Sequence, residues 1–456
     1  MNTQSTTSLE KFAEWRRNSK SLKLIGIGII ILLLMIPLDM ITRLIRERVD
    51  LKNNVQYEIA GNWARAQQLS GPIITVPFDW ISTSTNSLTG EILESRTRRH
   101  LHFLPENLDI NSEITPVDRY LGIYHTTVYE SGIDLSGQFA FPEHALFNDP
   151  HVSVLWDEVL VSFGIPDLRG VQNELKLDFD GLDYTLRSGM SDEAPIASGV
   201  GTRIILDPDD PHNLEFSMVL DLKGSFNLSF DPLARTTQVT ARSSWTAPSY
   251  FGSFLPDTHN EDTSNGFEAH WKILDINRNI PQSFETVPKD LRSHSFGVNL
   301  FEEVNHYTST ERSAKYAMLL IFLTFLTFFI IMLVRKIRIH PVQFLFVGLA
   351  LCVFYVLLLA LSEQIGFSWA YLAAAAANCI LISLYMKAAF KSSGLAAIVM
   401  LVTSLLYLFI YIIIQLANYS LLAGSIGLFA ALAIMMFASR NMDWYALRSE
   451  PQTAEV

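Results

Sequence analysis

Six stretches of this sequence are long, apolar and nearly free of charge: residues 24–41, 316–334, 344–361, 368–386, 395–414 and 421–438. Each approaches the ~20 residues that a helix needs to cross a hydrocarbon core of ~30 Å, where only a helix or a closed barrel can satisfy its backbone amides. The pattern predicts six transmembrane helices, one near the N-terminus and five gathered into a C-terminal bundle. The polar segment between the first two runs is large enough to bury a core of its own. With 49% hydrophobic and 18% charged residues, the composition averages these two textures and describes neither.

The first run, LIGIGIIILLLMIPLDMI, is followed by TRLIRERVD and not by the small residues of a cleavage site, so it is expected to remain as an anchor. Both cysteines, Cys352 and Cys379, fall inside predicted spans, leaving the polar domain without disulfides. Residues 50–310 carry 17 Lys and Arg against 37 Asp and Glu, whereas the rest carries 17 against 9. Orientation follows Lys and Arg in short loops. Arg335, Lys336 and Arg338, then Lys387 and Lys391, then Arg440 and Arg448 alternate with the cation-free loops SEQIGF and LANYS. This alternation predicts a cytoplasmic N-terminus (1–23, with Lys11, Arg16, Arg17, Lys20 and Lys23), a cytoplasmic tail (439–456) and an outward-facing acidic domain. The field of such a domain repels phosphate, so nucleic acid is not an expected partner.

Beyond the anchor (24–41), apolar residues at Ile41, Leu44, Ile45, Leu51, Val55, Ile59 and Trp63 keep a near-helical period, predicting a helical extension over 42–70 ended by Ser70-Gly71-Pro72. Across 71–315 the texture changes to short alternating or β-branched runs such as IITVPFDW, VSVLWDEVLVSF and LEFSMVLDLKGSFNLSF, each bounded by Gly, Pro, Asn or Asp. The expected fold is an α-helical membrane protein with an N-terminal anchor helix, a large, mainly antiparallel extracytoplasmic β domain of sandwich or barrel type, and five C-terminal helices over 316–438. Tyr307 and Tyr316 are candidate interfacial aromatics at the re-entry into the membrane.

Candidate chemistry is sparse. His100 and His102 alternate onto one face of a strand, and His125 offers a third imidazole, but Arg96, Arg98 and Arg99 beside them disfavour a cation. Asp178, Asp180 and Asp183 surround Gly181 in what reads as a hairpin turn, and Asp207, Asp209 and Asp210 read as a loop. Without metal, nucleophile or nucleotide motifs, no catalytic residue, metal or cofactor is assigned. Polar residues in or near the spans are the remaining candidates: Asp39, Glu363, Gln364 and Asn378. Counting along the helices puts Asp39 and Glu363 near the outer interface and Asn378 nearer mid-bilayer, in reach of a neighbouring helix. Glu363 is expected to sit at the turn as a cap for the following helix. The alanine run 373–377, with Gly424 and Gly427, is expected to allow close helix packing.

The blocks GPIITVPF, SWTAPSYFGSFLPD, GFEAHW, ERSAKYAMLLIFLTF, HPVQFLFVGLALCVFYVLLLALSEQIGF and RNMDWYA resemble the CreD family of bacterial inner-membrane, cell-envelope integrity proteins. The resemblance runs from the first span to the last. It implies a periplasmic β domain, a role in envelope integrity and the envelope stress response, and a link to colicin tolerance, and it supplies no catalytic residue. A non-enzymatic protein supporting or docking envelope components, with membrane lipids and envelope proteins as partners, is the leading expectation. A transporter or lipid-handling protein using the helix bundle is the alternative. A sensor lacks a cytoplasmic output domain, and the oligomeric state is left open.

Overall fold

The computed structural model describes residues 20–85, 92–122, 124–189, 193–260, 264–300, 306–335, 339–416 and 420–440. Lys11, Arg16 and Arg17, the loop residues Lys336 and Arg338, the segment 417–419 and the tail 441–456 with Arg448 lie outside the described residues. Two compact units form, one from residues 1–51 and 303–456, the other from residues 52–302. Helix α1 (Lys20–Trp63) contributes residues to both.

In the unit of residues 52–302, α1 stops at Trp63, short of the expected 70, and strand β1 (Gln67–Thr85) begins before the Ser-Gly-Pro motif. That motif is therefore not a helix terminator. Gly71 sits at φ 103°, where a Cβ would come within 2.9 Å of the Ser162 carbonyl, and the register of β1 against Val159–Gly164 shifts between Ser70 and Ile73. Ser-Gly-Pro makes a bulge inside the strand. The helix end is tied down instead by side chains. Arg169 donates to the Gly61 carbonyl, Ser225 Oγ donates to the Ala64 carbonyl at 2.6 Å, and Arg119 and Lys223 each lie over the Trp63 ring, 4.3 and 4.2 Å from its centroid.

The strands form two sheets over one apolar core. The first runs Ser249–Gly252, Phe296–Asn299, Asn227–Phe230, β1, Val159–Gly164, Gly199–Ile204, with strand β2 (Ile92–Phe103) also on β1. The second runs Phe267–Leu274, Thr236–Ser243, strand β3 (Asn107–Leu121), strand β4 (Tyr124–Phe139), Leu214–Ser225, Lys176–Phe179. Alternation decides the inward faces. In Leu214–Ser225 the residues Leu214, Phe216, Met218, Leu220 and Leu222 are buried while those between them face out. They meet Phe78, Phe139, Phe230, Trp271 and Phe296 in the shared core. The first part of β1 is buried on both faces, because Ile73 packs in a second cluster with Leu104, Ile196, Leu233 and Phe284. Most ladders are antiparallel, but β1 pairs in parallel with Asn227–Phe230 and β3 with Thr236–Ser243, so the sheets are mixed.

The other unit holds α2 (His306–Lys315), α3 (Ala317–Val334), α4 (Pro341–Ile365), α5 (Phe367–Phe390), α6 (Ser393–Gln415) and α7 (Ser420–Ser439). Local chemistry sets the ends. His340 caps α4, accepting from the Val342 amide, while Gln343 accepts from the His340 amide and Pro341 fills the first turn. Ser392 caps α6, and Gly366 at φ 75° turns the chain between α4 and α5. Residues 306–315, expected in the outer domain, belong to this unit, and their polar helix buries Tyr307, Ser309, Thr310 and Ser313. Among the described residues four helices are long and apolar enough to cross a membrane, α1, α4, α5 and α6, or five if α2 and α3, bent by 45°, form one span. The expected count of six is not reached. The run 316–334 qualifies only together with α2, and 421–438 lies on α7, several of whose side chains are outside the described residues. Close packing falls at Gly348 of α4, where a Cβ would come within 2.1 Å of Leu34 Cδ1 of α1, and at Gly427 of α7 against the Phe409 ring; Gly424 has no neighbour within 4 Å.

Candidate functional site

The polar residues of the helix unit divide into a buried centre and two edges. Asn378 of α5, 5% exposed, donates through Nδ2 to the Ala350 carbonyl of α4 at 3.0 Å and to the Tyr407 hydroxyl of α6 at 2.7 Å. Tyr371 of α5 donates to the Tyr407 carbonyl at 2.8 Å, and Phe354 packs on both tyrosine rings. One amide thus joins three helices in a setting where no water competes for it. Cys352 and Cys379 are buried free thiols in the same core.

Glu363 is half-buried and accepts a hydrogen bond at Oε1 from the hydroxyl of Tyr307, itself 3% exposed. The N-cap position of α5 itself is occupied by Gly366, three residues beyond Glu363. Tyr307, read from the sequence as a membrane-surface aromatic, is buried and ties α2 to the end of α4. Gln364 is exposed. Asp39 is also exposed and pairs at 2.5 Å with Arg43, one turn further along α1. The four candidates do not converge on one centre.

Sequence reasoning missed a groove between α5 and α6, about 550 Å³ in volume, whose walls include Tyr371, Cys379, Tyr407 and Tyr411. Its signal was faint: tyrosines at 371, 407 and 411 inside otherwise apolar runs, with alanines opposite.

In the β unit, His100 and His102 share a strand but not an environment. His102 is buried, hydrogen-bonded to Thr75 Oγ1 at 2.9 Å and set against Phe284, and desolvation, with a smaller contribution from His100, pushes it down to about 4. His100 is lowered too, first by burial. His125 lies on β4 in the other sheet, and no metal-binding group of three His, Cys, Asp or Glu occurs among the described residues. Asp178 and Asp183 face each other across a hairpin whose turn, Asp180-Gly181, has φ of 54° and 77° at its two central residues. His212 joins that turn to the second acidic loop, 2.8 Å from Asp180 Oδ2 and 2.7 Å from the Asp210 carbonyl. A buried carboxylate that nothing in the sequence marked is Asp231, which accepts from Ser70 Oγ and, at 2.8 Å, from Gln68 Nε2, with Arg292 Nε at 3.7 Å. Desolvation outweighs these partners and raises its carboxyl to about 6.

An N-terminal apolar helix, further helices able to cross a membrane and a large two-sheet domain define a multi-pass integral membrane protein. The chain belongs to the CreD family, described as inner membrane protein CreD, which it matches over residues 19–445. It is 33% identical over 427 residues to the inner membrane protein CreD of Escherichia coli (strain K12), covering 91% of this chain and 92% of that protein.

Proposed function

We propose that this inner-membrane protein contributes to cell-envelope integrity and the response to envelope stress without catalysing a reaction, its β domain facing the periplasm and docking or supporting other envelope components. Both chain termini are cytoplasmic in this reading, as the Lys and Arg alternation of the later loops requires. Membrane lipids and envelope proteins are the partners. The observation that carries the reading is the employment of the polar residues. Asn378 is consumed in joining three helices, Glu363 in holding Tyr307 and Asp39 in pairing with Arg43, so each has a structural task. The acidic turns and the buried imidazole of the β domain likewise serve hairpins and packing.

The test is complementation of a strain lacking the protein, scored by detergent sensitivity and colicin tolerance, together with assay of the purified full chain on envelope lipids and glycans. Rescue by the wild type and by the double variant Glu363→Gln, Asp39→Asn, with no turnover in vitro, is expected. Hydrolysis or transfer by the purified protein would overturn the non-enzymatic reading, and loss of rescue in the double variant would move the work into the helix bundle.

A further inference from the structure

Helices α5 and α6 run antiparallel, since Tyr371 reaches the Tyr407 carbonyl while Ser368, three residues earlier, meets Tyr411, four residues later, at 3.2 Å. They do not close completely. The groove between them is lined at depth by the buried Ala375 and Cys379 and nearer its rim by the exposed Leu372, Ala376, Ile380 and Leu408, with Trp369 exposed beside them. Small side chains on α5 leave room for it: Ala375 and Ala376 both line the groove, the first buried and the second exposed.

Length and position identify the occupant. Ser368 lies two residues beyond the Gly366 turn, and Ile380 is twelve residues further, a rise of about 18 Å. Half of a hydrocarbon core is about 15 Å. The groove therefore runs from the membrane boundary through one leaflet. On the same two helices Leu381, Leu384, Leu401 and Leu405 are also exposed, an apolar surface of the kind that faces lipid. The Ser368 and Tyr411 hydroxyls and the Trp369 indole lie together at the boundary end, at the depth of ester and headgroup, while Ser404 adds one hydroxyl further in. An extended peptide segment in this slot would bring backbone amides to walls that offer them almost no partners, whereas an acyl chain has none to satisfy. We propose that the α5–α6 groove seats one acyl chain of a phospholipid from the leaflet on the Gly366 side, with its glycerol ester against Ser368 and Tyr411. The chain fills a gap that would otherwise cost the lining its dispersion contacts. This inference stands apart from the docking role of the β domain, and either can fail alone.

The experiment uses the full chain in vesicles of phosphatidylethanolamine and phosphatidylglycerol, doped with phosphatidylethanolamine bearing a photoreactive group in its acyl chain. After irradiation, adducts are mapped by mass spectrometry. Adducts should concentrate on Leu372, Ala376 and Leu408 and fall about tenfold, the effect of ~1.4 kcal/mol, in Ala376→Phe. Ala373→Phe, at an equally exposed position outside the groove, should leave them unchanged. Adducts spread evenly over lipid-facing residues such as Val353 and Leu405, or unaltered by Ala376→Phe, would overturn the proposal. So would groove residues protected from lipid and crosslinked to a second copy of the chain.

Discussion

Replacing Asp231 by asparagine should stabilise the β domain, and more strongly as pH rises. The side chain is buried beside Ser70, Gln68 and Arg292, and its carboxyl titrates near 6 in the fold against 3.8 when free. At ~1.4 kcal/mol per pH unit, holding it ionised costs about 3 kcal/mol. Because the folded value is the higher one, the favourable contribution is complete below about 3.8 and is lost as pH rises through about 6. His102 works in the opposite direction. Its folded value of about 4 against 6.5 means that its contribution is complete above about 6.5 and is lost, again by about 3 kcal/mol, as pH falls toward 4. The two trends offset each other in the wild type between pH 4 and 6.5. Asp231→Asn removes one of them, so the variant should gain about 3 kcal/mol over the wild type at pH 8, little at pH 4, and show the acid sensitivity of His102 uncovered. Unfolding of the detergent-solubilised full chain, followed by tryptophan fluorescence from pH 4 to 8, measures this. A difference independent of pH, or a variant less stable at pH 8, would show that Ser70, Gln68 and Arg292 hold the carboxylate ionised at no cost.

Three further changes probe the helix unit and the helix end. Gly348→Leu drives side-chain atoms into Leu34 and should destabilise the packing of α1 on α4 by about 1–3 kcal/mol, visible as earlier heat inactivation in detergent, while Gly424→Leu, with open space around it, should not. Asn378→Leu keeps the branched shape and heavy-atom count and removes both interhelical hydrogen bonds, so a loss of about 1–2 kcal/mol is expected in steric-trap or chemical unfolding of the bundle. Arg169→Ala frees the Gly61 carbonyl and removes the guanidinium that holds Asp167 down to about 2, and amide exchange at the end of α1 should quicken.

The membrane helices were legible because lipid makes a simple demand of length and apolarity. The runs 344–361, 368–386 and 395–414 fall inside α4, α5 and α6, which overrun them because polar residues such as His340 and Ser392 start a helix before its first apolar residue. Residues 306–315 were misplaced for the complementary reason. HYTSTERSAK has no apolar stripe, and its burial comes from neighbours supplied by helices up to a hundred residues away. Strand texture was legible wherever one face meets water, as in LEFSMVLDLKGS, but pairing was not. The parallel contact of β3 with Thr236–Ser243 joins segments separated by more than a hundred residues, and no local signal records it. Asp231 sits in FDPLAR, which reads as a turn, and its burial is set only when Ser70 arrives from across the chain. The groove escaped because it consists of what α5 lacks at Ala376, a quantity defined only once α6 is placed.

The fastening at the end of α1 has a mechanical meaning. Gly61 and Ala64 are held by Arg169 and Ser225, two cations lie over the Trp63 ring, and at Gln67 the chain enters β1, which is bonded along its length to four other strands. A displacement of the helix end is therefore passed to β1, and through its ladders to four strands at once, so the last turn of α1 is fastened to the sheet as a whole.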